Sequence, residues 1–182
     1  MSVTPDKDEI RENQAESNGH RWGKQIFFMG IAILGIGLFW MQKDHYKAYQ
    51  QWNKAQMFYN NKAYEAALEV YEPLYPLLKH KPEFLFEAAQ SLSKTGQYEK
   101  ANEYLERAVL LSSDPMLYYV MAKNEQCLGE YRQAEKHLLH AIDILPERIY
   151  PYYLLMNLYT EPSYFQPAKL KMAIDSVLTK KP

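Results

Sequence analysis

A spacing constrains this chain more tightly than its composition does: Tyr64, Tyr98 and Tyr131 recur at intervals of 34 and 33 residues, and Ala67, Ala101 and Ala134 recur in step. A period of that length predicts one helical hairpin per unit, and such hairpins bury their apolar faces only by stacking on one another. In the second unit Leu85, Ala88, Ala89 and Leu92 supply the apolar side of one helix, Gly96 marks the turn, and Tyr98, Ala101, Leu105 and Ala108 supply the return helix. The third unit repeats the scheme with Tyr118, Met121, Ala122, Gly129, Tyr131, Ala134, Leu138, Ala141 and Pro146. Alanines at these positions let two helices approach closely. Gly96 and Gly129 sit where a helix ends in a left-handed residue, Pro82 and Pro115 where a first turn has no use for its N–H, and Asp114 where an N-cap is wanted.

These residues resemble the tetratricopeptide repeat. The resemblance covers about 48–180 and implies an all-α solenoid of about four hairpins, with units near 48–81, 82–114, 115–148 and 149–180. In the first unit Ala55, Phe58, Tyr64, Ala67 and Tyr71 keep register, Asn60-Asn61-Lys62 replaces the glycine turn, and Pro73 and Pro76 are expected to bend or shorten the second helix. The fourth keeps Tyr152, Leu155, Met156 and Tyr159, then departs at Glu161-Pro162-Ser163-Tyr164-Phe165. A final helix from about Pro167, with Leu170, Ala173, Ile174, Val177 and Leu178 on one face, reads as the cap of the stack.

Upstream, Ile26 to Met41 is an uninterrupted apolar run, IFFMGIAILGIGLFWM, with no charge from Gln25 to Gln42. The expectation is a single N-terminal transmembrane helix over 25–42, preceded by a polar, disordered tail over 1–24 and followed by the repeat domain over 43–182. Sixteen apolar residues fall short of the usual ~20, so the reading leans on Trp22 and Trp40 as interfacial anchors and on Arg21, Lys24 and Lys43 as snorkelling cations. A cleaved signal peptide competes with it, but no small-residue site follows the run. Four Lys/Arg precede the run and four follow closely, so orientation is undecided by charge.

From Lys43 onward 17 basic residues balance 17 acidic ones, which argues against a nucleic-acid partner held by counterion release. The lone Cys127 excludes an internal disulfide. His137 and His140 share a helix face at a metal-compatible spacing, yet no Cys or third His lies near in sequence, so no metal or cofactor is assigned. Scattered carboxylates and the absence of a glycine-rich phosphate loop give no catalytic constellation, so the chain reads as a binding scaffold rather than an enzyme.

One pattern suggests a site. In tetratricopeptide repeats the first helix of each unit lines the inner surface, and position five of the unit is here Trp52, Phe86, Tyr119 and Tyr153. Position nine, one turn on, is Gln56, Gln90, Lys123 and Asn157. An aromatic row beside a row of mostly amides can stack on and hydrogen-bond to an extended peptide of a partner protein. The same aromatics serve equally well to seal neighbouring hairpins, and the sequence leaves both uses open.

The block from Tyr46 to Leu92, with SSDPMLYYVMAKNEQCLGEYRQAE and YPYYLLMNLYTEPSYFQPAKLKMAIDSVL, also resembles the C-terminal region of O-antigen ligase family membrane proteins of Bacteroidetes-type bacteria. In that family a last transmembrane helix leads into a tetratricopeptide domain. The resemblance implies a single-pass protein of the bacterial inner membrane, lipid-embedded through 25–42, with the repeats in the periplasm and a polytopic glycan ligase as partner. None of the family's catalytic residues can be placed on this chain, so the implied role is accessory.

Overall fold

The computed structural model describes the backbone of residues 7–179 and the side chains of 27–37, 39 and 43–179. The secondary structure is helical: α1 (Lys7–Asn60), α2 (Tyr64–Leu78), α3 (Pro82–Lys94), α4 (Tyr98–Val109), α5 (Pro115–Leu128), α6 (Tyr131–Ile144), α7 (Tyr150–Tyr159), a 3₁₀ turn (Pro162–Tyr164) and α8 (Pro167–Thr179). Two compact units divide at Lys47 and Ala48.

In the second unit, from α2 to α8, each helix packs on the next in sequence, and across the hairpins α3 touches α5 and α5 touches α7. Helices α3, α5 and α7 thus lie side by side. The recurring alanines lie at the contacts: Ala67, Ala101 and Ala134 are each 0 % exposed. Around them Tyr71, Phe84, Leu85, Leu105 and Leu138 are buried without residual surface. At about 1.5–3 kcal/mol for each large apolar side chain, this burial outweighs any helix propensity.

The turns follow the residue chemistry. Gly96 and Gly129 have φ of 81° and 78°, a left-handed conformation that costs glycine nothing. Lys62 holds the matching place in the first turn with φ 61°, which a side chain makes costly. Pro82 and Pro115 open α3 and α5, and the Asp114 carboxylate accepts from Met116 N at 2.9 Å. Helix α2, however, runs unshortened through Pro73 and Pro76. The prolines are exposed, while Leu74 and Leu78 are buried and Tyr75 meets Tyr104 at 4.6 Å, so packing on the other face offsets the missing donors.

The expected transmembrane helix over 25–42, and with it the single-pass inner-membrane location and the bilayer as partner, is overturned: no described helix is long and apolar enough to cross a membrane. The physical reason is length. Sixteen apolar residues rise about 24 Å as a helix against a hydrocarbon core of about 30 Å, and within α1 the run is bounded by Gln25 and Gln42 with Lys24 and Lys43 just beyond. Phe27, Phe28, Ile33, Leu34 and Phe39 are exposed there. Of the expected disordered tail, residues 1–6 lie outside the described ones and α1 begins at Lys7. The side chains of Arg21, Trp22, Lys24 and Trp40 also lie outside the described ones.

Candidate functional site

The eight inner-row residues separate into two groups according to what they touch. In the N-terminal group, Trp52 Nε1 donates to Glu87 Oε2 at 2.6 Å, Gln56 Nε2 donates to Oε1 at 2.8 Å, and the Tyr71 hydroxyl donates to Oε2 at 3.1 Å. A half-buried carboxylate is costly without donors, and these three supply them from α1 and α2. Burial first, and the Glu87 charge second, push the Tyr71 hydroxyl well above its ordinary range. The Trp52 ring meets Phe84 edge-on at 5.7 Å, and Gln90 accepts from the Tyr59 hydroxyl. Phe86 packs against the core beside a cavity of about 260 Å³ lined also by Glu83, Asp114 and Leu117. Trp52 and Gln56 therefore tie hairpins together; their polar atoms are spent on Glu87.

The C-terminal group is different. Two adjoining cavities of about 290 and 430 Å³ share Tyr119, Lys123 and Tyr150, and between them bring together Gln90, Tyr119, Lys123, Tyr153 and Asn157. Lys123, Tyr153 and Asn157 are exposed. Among the described residues none of these three side chains donates or accepts a hydrogen bond or forms an ion pair. Tyr119 is 5 % exposed and meets the Tyr150 ring edge-on at 5.1 Å. Among the described residues its buried hydroxyl has no hydrogen-bond partner. Burial raises its pKa, with Asp114 and Tyr150 adding to the rise and Arg148 opposing it. The result is an open trough with a tyrosine-rich floor and a wall of unengaged polar side chains.

Several residues here lie outside positions five and nine. Tyr150, at the start of α7, stands outside positions five and nine, and Lys94 and Tyr98 reach the trough from the end of α3 and the start of α4. Glu135 is a second carboxylate hub, accepting from Tyr159 at 2.8 Å, Tyr164 at 2.7 Å and Lys169 at 2.7 Å. Burial would raise its pKa, but the hydrogen bonds from Lys169, Tyr164 and Tyr159 together outweigh it and hold the carboxyl below its ordinary value. This hub fastens α8 to α6.

His137 and His140 flank the Tyr118 ring at 5.9 and 4.7 Å, and His137 Nδ1 lies 2.9 Å from the carboxylate of Glu125, itself 4 % exposed. Among the described residues no group of three or more metal-ligating side chains gathers. A larger cavity of about 680 Å³ lies along α6, but its walls mix Arg132, Lys136 and Asp143 with His137 and Glu135, which already have partners.

Residues 60–141 match the family model for subunit 3 of the anaphase-promoting complex, or cyclosome. Among solved structures, MamA from Desulfovibrio magneticus RS-1 is similar at 18% identity and a TM-score of 0.63, covering 73% of this chain and 73% of that one. The Yersinia enterocolitica type III secretion chaperone SycD, solved with a peptide of the translocator YopD, is similar at 19% identity and a TM-score of 0.54, covering 73% of this chain and 94% of that one. The tetratricopeptide domain of Arabidopsis OM64 follows at 16% identity and 0.56, covering 61% and 93%. No curated protein sequence matches significantly. At these identities the likeness is one of fold, and neither the family match nor the structures support the resemblance to O-antigen ligases. The chain has the fold of a tetratricopeptide-like helical repeat.

Proposed function

We propose that the chain is a non-catalytic scaffold whose trough along α5 and α7 holds an extended peptide of a partner protein. One observation carries this: Tyr119, Lys123, Tyr153 and Asn157 line joined open cavities while their polar atoms are left unused by the chain itself. Side chains that only seal hairpins are engaged like Trp52 and Gln56; those awaiting a ligand are not. The trough suits a peptide because its floor offers ring faces to an apolar side chain, and its wall offers amide and ammonium donors to backbone carbonyls. SycD, with its bound YopD peptide, is a protein of similar fold that takes a peptide, which lends the reading support by analogy. No observation favours an accessory role in glycan ligation.

The test is selection of peptides from a random display library on the immobilised chain. Selected peptides are expected to lose at least about tenfold in affinity on a Tyr153→Ser, Asn157→Ala double variant and to bind a His140→Ala variant as they bind the parent. Equal affinity for all three would place binding elsewhere and overturn the proposal.

A further inference from the structure

The trough is electrically one-sided. Lys94 and Lys123 line it, and no Asp or Glu does. Composition does not explain this, because the chain from Lys43 onward is charge-balanced. Lys94 stands in the last turn of α3, where a cation suits the helix dipole, but Lys123 is in the interior of α5 and has no such reason. Both are exposed, and neither forms an ion pair among the described residues. Tyr119, independently, is a nearly buried hydroxyl without a partner that lines both cavities. The neighbouring cavity beside Phe86 has the opposite sign, with Glu83, Glu87 and Asp114 on its walls and no cation.

We infer that the trough takes an acidic segment of the partner, a side-chain carboxylate lying against Lys94 and Lys123 and an apolar side chain of the same segment filling the Tyr119, Tyr150 and Tyr153 end. The inference rests on the trough being the binding site, and it names the ligand's charge. Lysines supply attraction and a faster encounter, the apolar anchor supplies most of the affinity, and the acidic cavity beside Phe86 repels a segment placed there. A donor from Tyr119 to the ligand's backbone or carboxylate completes a hydroxyl that the fold leaves unmatched.

Short acetylated and amidated peptides, in which Leu alternates with Glu, Gln or Lys, test this by fluorescence anisotropy against the full chain. The Glu peptide is expected to bind about five- to tenfold tighter than the Gln peptide at low salt, with the advantage fading toward 1 M salt as the screening length falls to about 3 Å. A Lys94→Met, Lys123→Met double variant, both sites being exposed, should fold as the parent does and lose that advantage. Glu83→Gln should leave the advantage in place. Equal binding of the Glu and Gln peptides, lost together on Tyr153→Ser, would overturn the charge inference while sparing the trough. Failure of all three peptides to bind, or binding unaffected by Tyr153→Ser, would overturn both.

Discussion

Replacing Tyr119 with Phe should make the protein more stable and a poorer binder. The hydroxyl is buried and, among the described residues, unpartnered. Leaving such a group unmatched costs about 1–3 kcal/mol, and deleting it recovers that cost. The loss is a void of about one oxygen atom, worth a few tenths of a kcal/mol at about 24 cal/mol per Å³. The balance is a gain of about 1–2 kcal/mol. For a chain of this length that is a rise in melting temperature of about 2–8 °C, read by circular dichroism at 222 nm. Tyr71→Phe is the internal control, because that hydroxyl donates to Glu87 at 3.1 Å, and its removal should lower stability by about 1–3 kcal/mol. Peptide affinity should fall about three- to tenfold in Tyr119→Phe, reflecting one net hydrogen bond. If Tyr119→Phe melts below the parent, the hydroxyl has a structural partner and the trough loses its best-defined donor.

Ala134→Leu should overpack the site where α6 meets its neighbours and cost about 1–3 kcal/mol, whereas Glu130→Gln, on the exposed turn, should leave the melting temperature within about 1–2 °C of the parent. Lys62→Gly should stabilise by about 1 kcal/mol in chemical denaturation, since φ 61° is a left-handed conformation that a side chain pays for and glycine does not. Glu135 has its folded pKa held below the ordinary 4.5, so its contribution is present above that pH and is lost as the pH falls through the folded value. Amide protection factors in α8, taken relative to the intrinsic exchange rate at each pH, should therefore fall on acidification from pH 5 to pH 3, and Glu135→Gln should lower them at pH 7 and flatten the pH response.

The repeats were legible because Tyr and Ala at a fixed spacing report a contact that every hairpin must make, and because Gly96, Gly129, Pro82 and Pro115 each meet a backbone demand that few residues meet. The site was half legible. Periodicity places Trp52 and Tyr153 on equivalent faces, but what distinguishes them is Glu87, which lies 35 residues from Trp52 and takes its indole N–H. Nothing in a single unit announces that a carboxylate next to the aromatic row will collect donors from the preceding hairpin; Glu135 does the same with Lys169, 34 residues on. Tyr150 and Lys94 escaped because they lie at helix ends, outside the repeat positions. The apolar run in α1 misled through composition: its residues are those of a membrane span, and its length is not.

The inner row is divided, structural around Glu87 and open around Tyr119. Backbone and side-chain NMR shifts followed during titration with a selected peptide test it residue by residue. Perturbation is expected at Tyr119, Lys123, Tyr153 and Asn157, with the Trp52 indole and Gln56 amide resonances unmoved; shifts centred on Trp52 and Gln56, or along α6 at His140, would contradict that division.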